Sequence, residues 1–269
     1  MSAPDSVFTG SIPALYDRHL GPVLFAPYAE DIGARVRAEP AGSVLEIAAG
    51  TGIVTRALRD ALPPSARIVA TDLNEAMLRH AAAHSGAADV TWRPADAMSL
   101  PFGDAEFDLV VCQFGAMFFP DRVRAYREAR RVLRPGGRFL FNMWAPIEFS
   151  EAVQIATRAV AAAFPADPPT FFTRTPHGYG DPTAATAGLH EAGFGNVVVF
   201  TVDGRGRASS ALDLATGICQ GTPLRAEIEA RDATRLEEVT RTAANALAAR
   251  FGDGAFEAVT RAYVYDARN

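Results

Sequence analysis

The residues best placed to do chemistry lie in two short runs. In the first, Val44-Leu45-Glu46-Ile47-Ala48-Ala49-Gly50-Thr51-Gly52, an apolar strand pattern runs straight into a glycine-bearing turn that opens a helix. Gly50 and Gly52 permit positive φ there and put no Cβ between the backbone and a ligand. The second run, Ala70-Thr71-Asp72-Leu73, closes the next β-rich stretch, and Asp72 stands twenty positions beyond Gly52. A carboxylate at that place has lone pairs enough to accept from two vicinal ribose hydroxyls. Together the runs imply a nucleoside-bearing ligand at the carboxyl end of a parallel sheet. A dinucleotide enzyme would want a third glycine where Thr55 stands, which weakens a nicotinamide reading.

These groups need a sheet to position them. Short β-rich runs at Ser43 to Ile47, Arg67 to Thr71, Val90 to Arg93, Phe107 to Gln113 and Gly137 to Trp144 alternate with helical patterns near Ile53 to Ala61, Glu75 to Ser85 and Asp121 to Leu133. Such alternation is the signature of βαβ units. The expected fold is α/β, a doubly wound, Rossmann-like sheet. Beyond Trp144 the pattern changes. Val153, Ala156, Val160 and Phe164 mark one helix face, Pro165 to Pro182 reads as an exposed, proline-stiffened connection, and a helix from Asp181 ends near Gly193. A strand follows at Asn196 to Val202, then a helical block from about Ser209 to Phe251, then a strand-like run at Ala262 to Tyr265. The expected organisation is an N-terminal helical segment at 1–39, a ligand-binding core at 40–145, a cap insertion at 146–182, a return to the core at 183–203, a helical insertion at 204–255 and a final strand at 256–269.

Glu46, Ala48, Gly50, Thr51 and Gly52, followed by Asp72, by Ala95-Asp96-Ala97, by Gln113-Phe114 at the end of the fourth run and by Leu133-Arg134-Pro135-Gly136-Gly137, occur in the order and spacing of class I methyltransferases. The chain resembles that family over about residues 40–145, and within it the ubiquinone/menaquinone-biosynthesis type of small-molecule methyltransferase. The resemblance implies a seven-stranded, mostly parallel sheet with the last strand antiparallel and helical cap insertions. It implies S-adenosylmethionine as cofactor and S-adenosylhomocysteine as product. The glycine loop would cradle the amino-acid end, Asp72 the ribose, and Asp96 with Ala97 the adenine, flanked by Leu73 and Met77. Gln113 and Phe114 would face the sulfonium, and Tyr16, in Tyr16-Asp17-Arg18-His19-Leu20-Gly21-Pro22, would belong to a segment closing over the cofactor.

An activated methyl transfers by in-line displacement once nucleophile, methyl and leaving group are aligned, and a base is optional. His177, on the cap-like stretch, is the candidate base. Tyr16, Phe25, Tyr28, Phe118 and Phe119 are either core or an aromatic wall able to face a cation. His19, His80, His84 and His190 are expected at the surface. A net charge of −5 provides no basic stripe for nucleic acid, so the expected partner is a small-molecule substrate. No apolar run is long enough to span a bilayer, Cys112 and Cys219 form no metal or disulfide pattern, and the expected location is cytoplasmic. A relative that uses the same cofactor for cyclisation or alkyl transfer, or that binds it without catalysis, is the alternative reading, since fold does not fix function.

Overall fold

The structure, a computed structural model, describes residues 10–269. Seven strands form one sheet: β1 (Ser43–Ile47), β2 (Arg67–Asp72), β3 (Thr91–Pro94), β4 (Phe107–Gln113), β5 (Leu133–Trp144), β6 (Asn196–Ala208) and β7 (Phe256–Arg268), in the spatial order β3-β2-β1-β4-β5-β7-β6. The pairs β1–β2, β2–β3, β1–β4 and β4–β5 are parallel, whereas β7 is antiparallel to both neighbours. Every residue of β1 is buried, as a central strand covered on both faces requires. The strand order reverses between β1 and β4, so a crevice opens beyond their carboxyl ends.

Helices α3 (Ile53–Ala61), α4 (Glu75–His84) and α5 (Arg122–Val132) make the crossovers. Val54, Leu58 and Ala61 turn one stripe of α3 inward, at helical spacing. Asp121 caps α5 by accepting from the Arg124 amide at 2.9 Å. One face of the sheet buries Ile32, Val36, Leu58, Leu109 and Leu140; the other buries Tyr126, Phe139, Phe141, Leu189 and Phe194.

Strand β5 begins at Leu133, where the helical pattern was expected to finish, because Leu133 already pairs with Phe107 before a register shift. Strands β6 and β7 extend well past their apolar runs and pair without a break from Asn196–Arg268 to Ala208–Phe256. Ion pairs hold the added length: Arg261 meets Asp203 at 2.6 Å and Arg205 meets Glu257 at 2.6 Å. Hydropathy does not register such pairing.

Of the stretch expected as an exposed connection, Pro165 to Pro182, residues 165–168 are exposed, but 171–177 turn inward. Residues Phe171–Arg174 form a one-turn α7, and Phe171, Phe172, Thr175 and His177 are buried. Glu227 draws the turn in, accepting from the amides of Thr170 at 2.8 Å and Phe171 at 3.2 Å and from Arg174. After α6 (Glu151–Ala162), α7 and α8 (Pro182–Glu191), three further helices, α9 (Ala211–Gln220), α10 (Leu224–Asp232) and α11 (Leu236–Phe251), separate β6 from β7.

At the other end of the described chain, α1 (Ile12–Leu15), a ten-residue π-helical segment (Tyr16–Phe25) and α2 (Ala26–Ala38) follow one another directly. The π-helical segment rests on β6 at Gly206, where a Cβ would lie 1.9 Å from the Val23 carbonyl oxygen. Only glycine allows that approach. Among the described residues no helix is long and apolar enough to cross a membrane.

Candidate functional site

A cavity of about 390 Å³ occupies the crevice beyond β1, β2 and β4. Its floor is the turn after β1, held to β2 by the Ala49 amide, which donates to the Thr71 carbonyl at 2.9 Å. Ala48, Gly50 and Gly52 in that turn have φ of 55°, 57° and 81°. Nothing lies within 4 Å of where a Gly50 Cβ would be, so the backbone faces open space. Asp72, at the tip of β2, is gripped from two sides: the Gly50 amide donates to Oδ2 at 2.9 Å and the Asn74 amide to Oδ1 at 2.7 Å. Burial pushes its carboxyl above the usual range, while these amides pull the other way. The Leu73 amide also donates to this carboxylate, and of its roughly four lone-pair sites at least one stays free for a ligand.

Leu73, 63% exposed at the cavity rim, and buried Met77 stand beside Asp72. Asp96 and Ala97 line the same wall, and Asp96 Oδ1 accepts from the Met98 amide at 2.9 Å. Opposite lie Gln113 and Phe114. The Gln113 amide nitrogen donates to the Phe25 carbonyl at 3.2 Å, tying the π-helical segment to the end of β4. Phe114 has φ of 51°, a conformation that costs a non-glycine residue roughly 1–3 kcal/mol. Buried Asn142 maintains it by accepting from the Phe114 amide through its side-chain oxygen at 2.9 Å, and Trp144 stacks on the ring at 3.7 Å between centroids. Tyr16 completes the wall. Burial, then the neighbouring Asp72 and Asp17, raise its phenol well above the ordinary range.

Three residues of the sequence pattern sit off this wall. Glu46 is 1% exposed and accepts from the Thr55 hydroxyl at 2.6 Å, bracing β1 against α3; burial, chiefly, pushes its carboxyl up to about 8. The Thr51 hydroxyl donates to Asp17 at 3.0 Å. Gly52 makes room for neighbours, since a Cβ there would meet Trp92 at 3.1 Å and Ala81 at 3.2 Å.

A smaller cavity of about 40 Å³ shares Tyr16, Phe114 and Phe118 with the first. Phe25, Trp144, Phe171 and Phe172 enclose it, and His177 and Ser150 stand on its wall. His177 is buried, unlike an ordinary loop histidine. Its Nδ1 lies 2.8 Å from the Ala145 carbonyl, which as an acceptor assigns the proton to Nδ1 and leaves Nε2 with the lone pair. Burial lowers its pKa to about 4, so the ring is neutral at pH 7 and a weak base. Of the proposed aromatic set, Tyr16, Phe25, Phe118 and Phe119 line one cavity or both. Tyr28 is core, its hydroxyl engaged by Thr260 at 3.0 Å and by the Gly204 amide at 3.2 Å. His19 and His80 are not free surface residues, being 3.3 Å from Asp213 and 3.4 Å from Asp17. Sequence reasoning passed over Asn74 and Met98, which adjoin residues it named, and Ser150, Trp144 and Phe172, which no motif marks.

Residues 45–141 match the methyltransferase domain family. The ubiquinone/menaquinone biosynthesis C-methyltransferase UbiE of Caulobacter sp. (strain K31) is 37% identical over 143 residues, covering 50% of this chain and 54% of that protein. The chain thus spans about half the length of the curated relatives it matches. Among solved structures, phosphoethanolamine N-methyltransferase 2 of Haemonchus contortus, in complex with phosphomonomethylethanolamine and S-adenosylhomocysteine, superposes with a TM-score of 0.59 at 16% identity, covering 96% of this chain and 56% of that one. The [4+2]-cyclase SpnF superposes at 0.53 and 20% identity, covering 90% and 80%. At such identities the likeness concerns the fold.

Proposed function

We propose that residues 45–141, which match the methyltransferase domain family, form a class I, S-adenosylmethionine-dependent domain, and that the whole chain transfers a methyl group to a small-molecule acceptor. The observation carrying the proposal is the grip on Asp72 by the Gly50 and Asn74 amides, at the strand switch point and on the wall of a 390 Å³ cavity. The residues fit the cofactor. Asp72 offers lone pairs to ribose hydroxyls, Gly50 leaves the backbone open, and exposed Leu73 with Met77 supplies apolar cover for a base beside Asp96 and Ala97. Ala48, Gln113, Phe114 and Tyr16 remain for the amino-acid end and its sulfur. When bound, S-adenosylmethionine supplies a methyl group already activated on a sulfonium.

What the chain adds is alignment and exclusion of water. Held geometry is worth at most about 7–11 kcal/mol of a bimolecular barrier. The π-helical segment contributes to it by stacking Tyr16 on Phe25 at 4.7 Å, with the Phe25 carbonyl fastened to Gln113. The faces of Phe114 and Tyr16 suit a cation nearby, for about 0.5–2 kcal/mol each. Neutral His177 presents an acceptor nitrogen and need not take a proton. Buried free thiols at Cys112 and Cys219 suit a reducing compartment, and we place the reaction in the cytoplasm.

Isothermal titration with S-adenosylmethionine and, separately, with NAD tests the cofactor. Binding of the first alone supports the proposal; binding of NAD, or of neither, rejects it. Methyl-labelled cofactor incubated with an acceptor panel then tests transfer: label in a product is expected, and conversion without label would indicate the cyclase-type alternative.

A further inference from the structure

Strand β5 ends in Phe139-Leu140-Phe141-Asn142-Met143-Trp144, and Asn142 is the one carboxamide in that otherwise apolar run, fully buried. An amide taken out of water is costly unless its polar atoms are bonded, so its partners show what it is kept for. Asn142 lines neither cavity. Its side-chain partners are Gln113 and Phe114, both on the wall of the larger one.

The Asn142 Oδ1 accepts from the Phe114 amide at 2.9 Å, and its Nδ2 donates to Gln113 Oε1 at 3.5 Å, the long end of the range. Gln113 Nε2 in turn donates to the Phe25 carbonyl at 3.2 Å. This run of bonds begins and ends on backbone groups whose roles are fixed, an N–H that can only donate and a C=O that can only accept. Each carboxamide between them therefore has one permitted orientation: turning either over would set donor against donor at one contact and acceptor against acceptor at the other. The Phe114 end is the more demanding. Phe114 holds a φ of 51°, which L side chains rarely adopt, and its ring stacks on Trp144 at 3.7 Å between centroids. The Asn142 carbonyl reaches the same amide only at 3.3 Å, so the side-chain oxygen is the shorter of the two holds.

We propose that Asn142 is a positioning residue for the sulfonium end of the larger cavity: it acts through Gln113 and Phe114, fixing the carboxamide of one and the ring of the other, without meeting a ligand itself. That role rests on the reading above in which these two residues face the cofactor's sulfur. Its effect is confined to one end of the ligand, because the groups read as holding ribose and base, Asp72 and Asp96, stand at the end of β2 and after β3.

Isothermal titration of the full chain and of Asn142→Leu, each with S-adenosylmethionine and with adenosine, tests this. Adenosine has the ribose and the base but neither sulfur nor amino acid. Asn142→Leu keeps the bulk and removes both side-chain hydrogen bonds. Its affinity for S-adenosylmethionine should fall about five- to tenfold, the equivalent of one lost neutral hydrogen bond, while adenosine binds as it does to the unsubstituted chain. Equal losses for the two ligands would make Asn142 a purely structural residue, and no loss for either would deny it any role; each result overturns the proposal. Should Asn142→Leu not fold, Asn142→Asp takes its place, since it still accepts from the Phe114 amide but lacks the amide that donates to Gln113, and the same two affinities decide. Failure of the unsubstituted chain to bind S-adenosylmethionine rejects the transfer reading and this role with it. S-adenosylmethionine binding that Asn142→Leu leaves unaltered rejects this role alone. Adenosine that failed to bind where S-adenosylmethionine bound would remove the separate ribose and base anchor, and with it the division of the ligand on which the role depends.

Discussion

Apart from Tyr16, the larger cavity draws its whole wall from residues 47–120, at the ends of consecutive strands and in the turns after them. The smaller one assembles side chains from five separate stretches, at 16–25, 114–118, 144–177, 222 and 260. In the first region, position follows from local chain geometry: a strand ends, a glycine turns, a carboxylate emerges beside it. In the second, position follows from long-range packing, in which helices from distant parts of the chain close around β5. A change in the shell should therefore cost stability first, and a change in the crevice should cost ligand binding first.

The sharpest test of that division is Gly206→Val. The added side chain drives backbone against backbone beneath Val23, and overpacking of this kind should lower the free energy of unfolding by about 3 kcal/mol, read from urea titrations. A variant as stable as the parent would mean that the π-helical segment is not anchored there. Asp72→Ala is the counterpart in the crevice. It should reduce affinity for S-adenosylmethionine by about 1.5–3 kcal/mol, the worth of charged hydrogen bonds, with far less effect on unfolding. Equal losses of stability in the two variants would erase the distinction.

The third test concerns Glu46, part of the motif yet off the cavity wall. Its carboxyl is raised to about 8 in the fold, so the stability it contributes is complete below the ordinary pKa near 4.5 and is lost as pH rises toward 8. Glu46→Gln, which still accepts from Thr55, should escape that loss. Its stability advantage in urea titrations should therefore grow from pH 4.5 to 8 and level off above. A pH-independent difference would show that Glu46 titrates normally.

The same contrast explains how far the sequence could be read. The strands from Ser43 to Gln113, the glycine turn at Gly50 and the carboxylate of Asp72 at a strand end were legible because periodicity and spacing act over a few residues, and a crossover has only one favoured hand, whereas Met77 and Asp96 were named only through the family resemblance. Glu46, Thr51 and Gly52 were found for their pattern, but their surroundings were not: whether a side chain in a turn faces a ligand or a neighbouring helix depends on what packs there, as Trp92 does against Gly52. The inward fold of Phe171 and Phe172 hinges on Glu227, more than fifty residues away, and no local signal announces such a partner. Ser150 and His177 share a wall for the same reason.

The place of β7 has a consequence in time. It follows α9 to α11 in the chain, yet it lies between β5 and β6 and is hydrogen-bonded to both. While the polypeptide emerges, at roughly 5–20 residues per second, β5 and β6 each have an unpaired edge, the condition that invites wrong strand partners. The three helices between them can form early from local contacts, but the sheet is closed only when β7 arrives. Assembly of this protein thus ends in the middle of its sheet, and a truncation that removed β7 would open one edge on β5 and one on β6 that the complete sheet keeps paired.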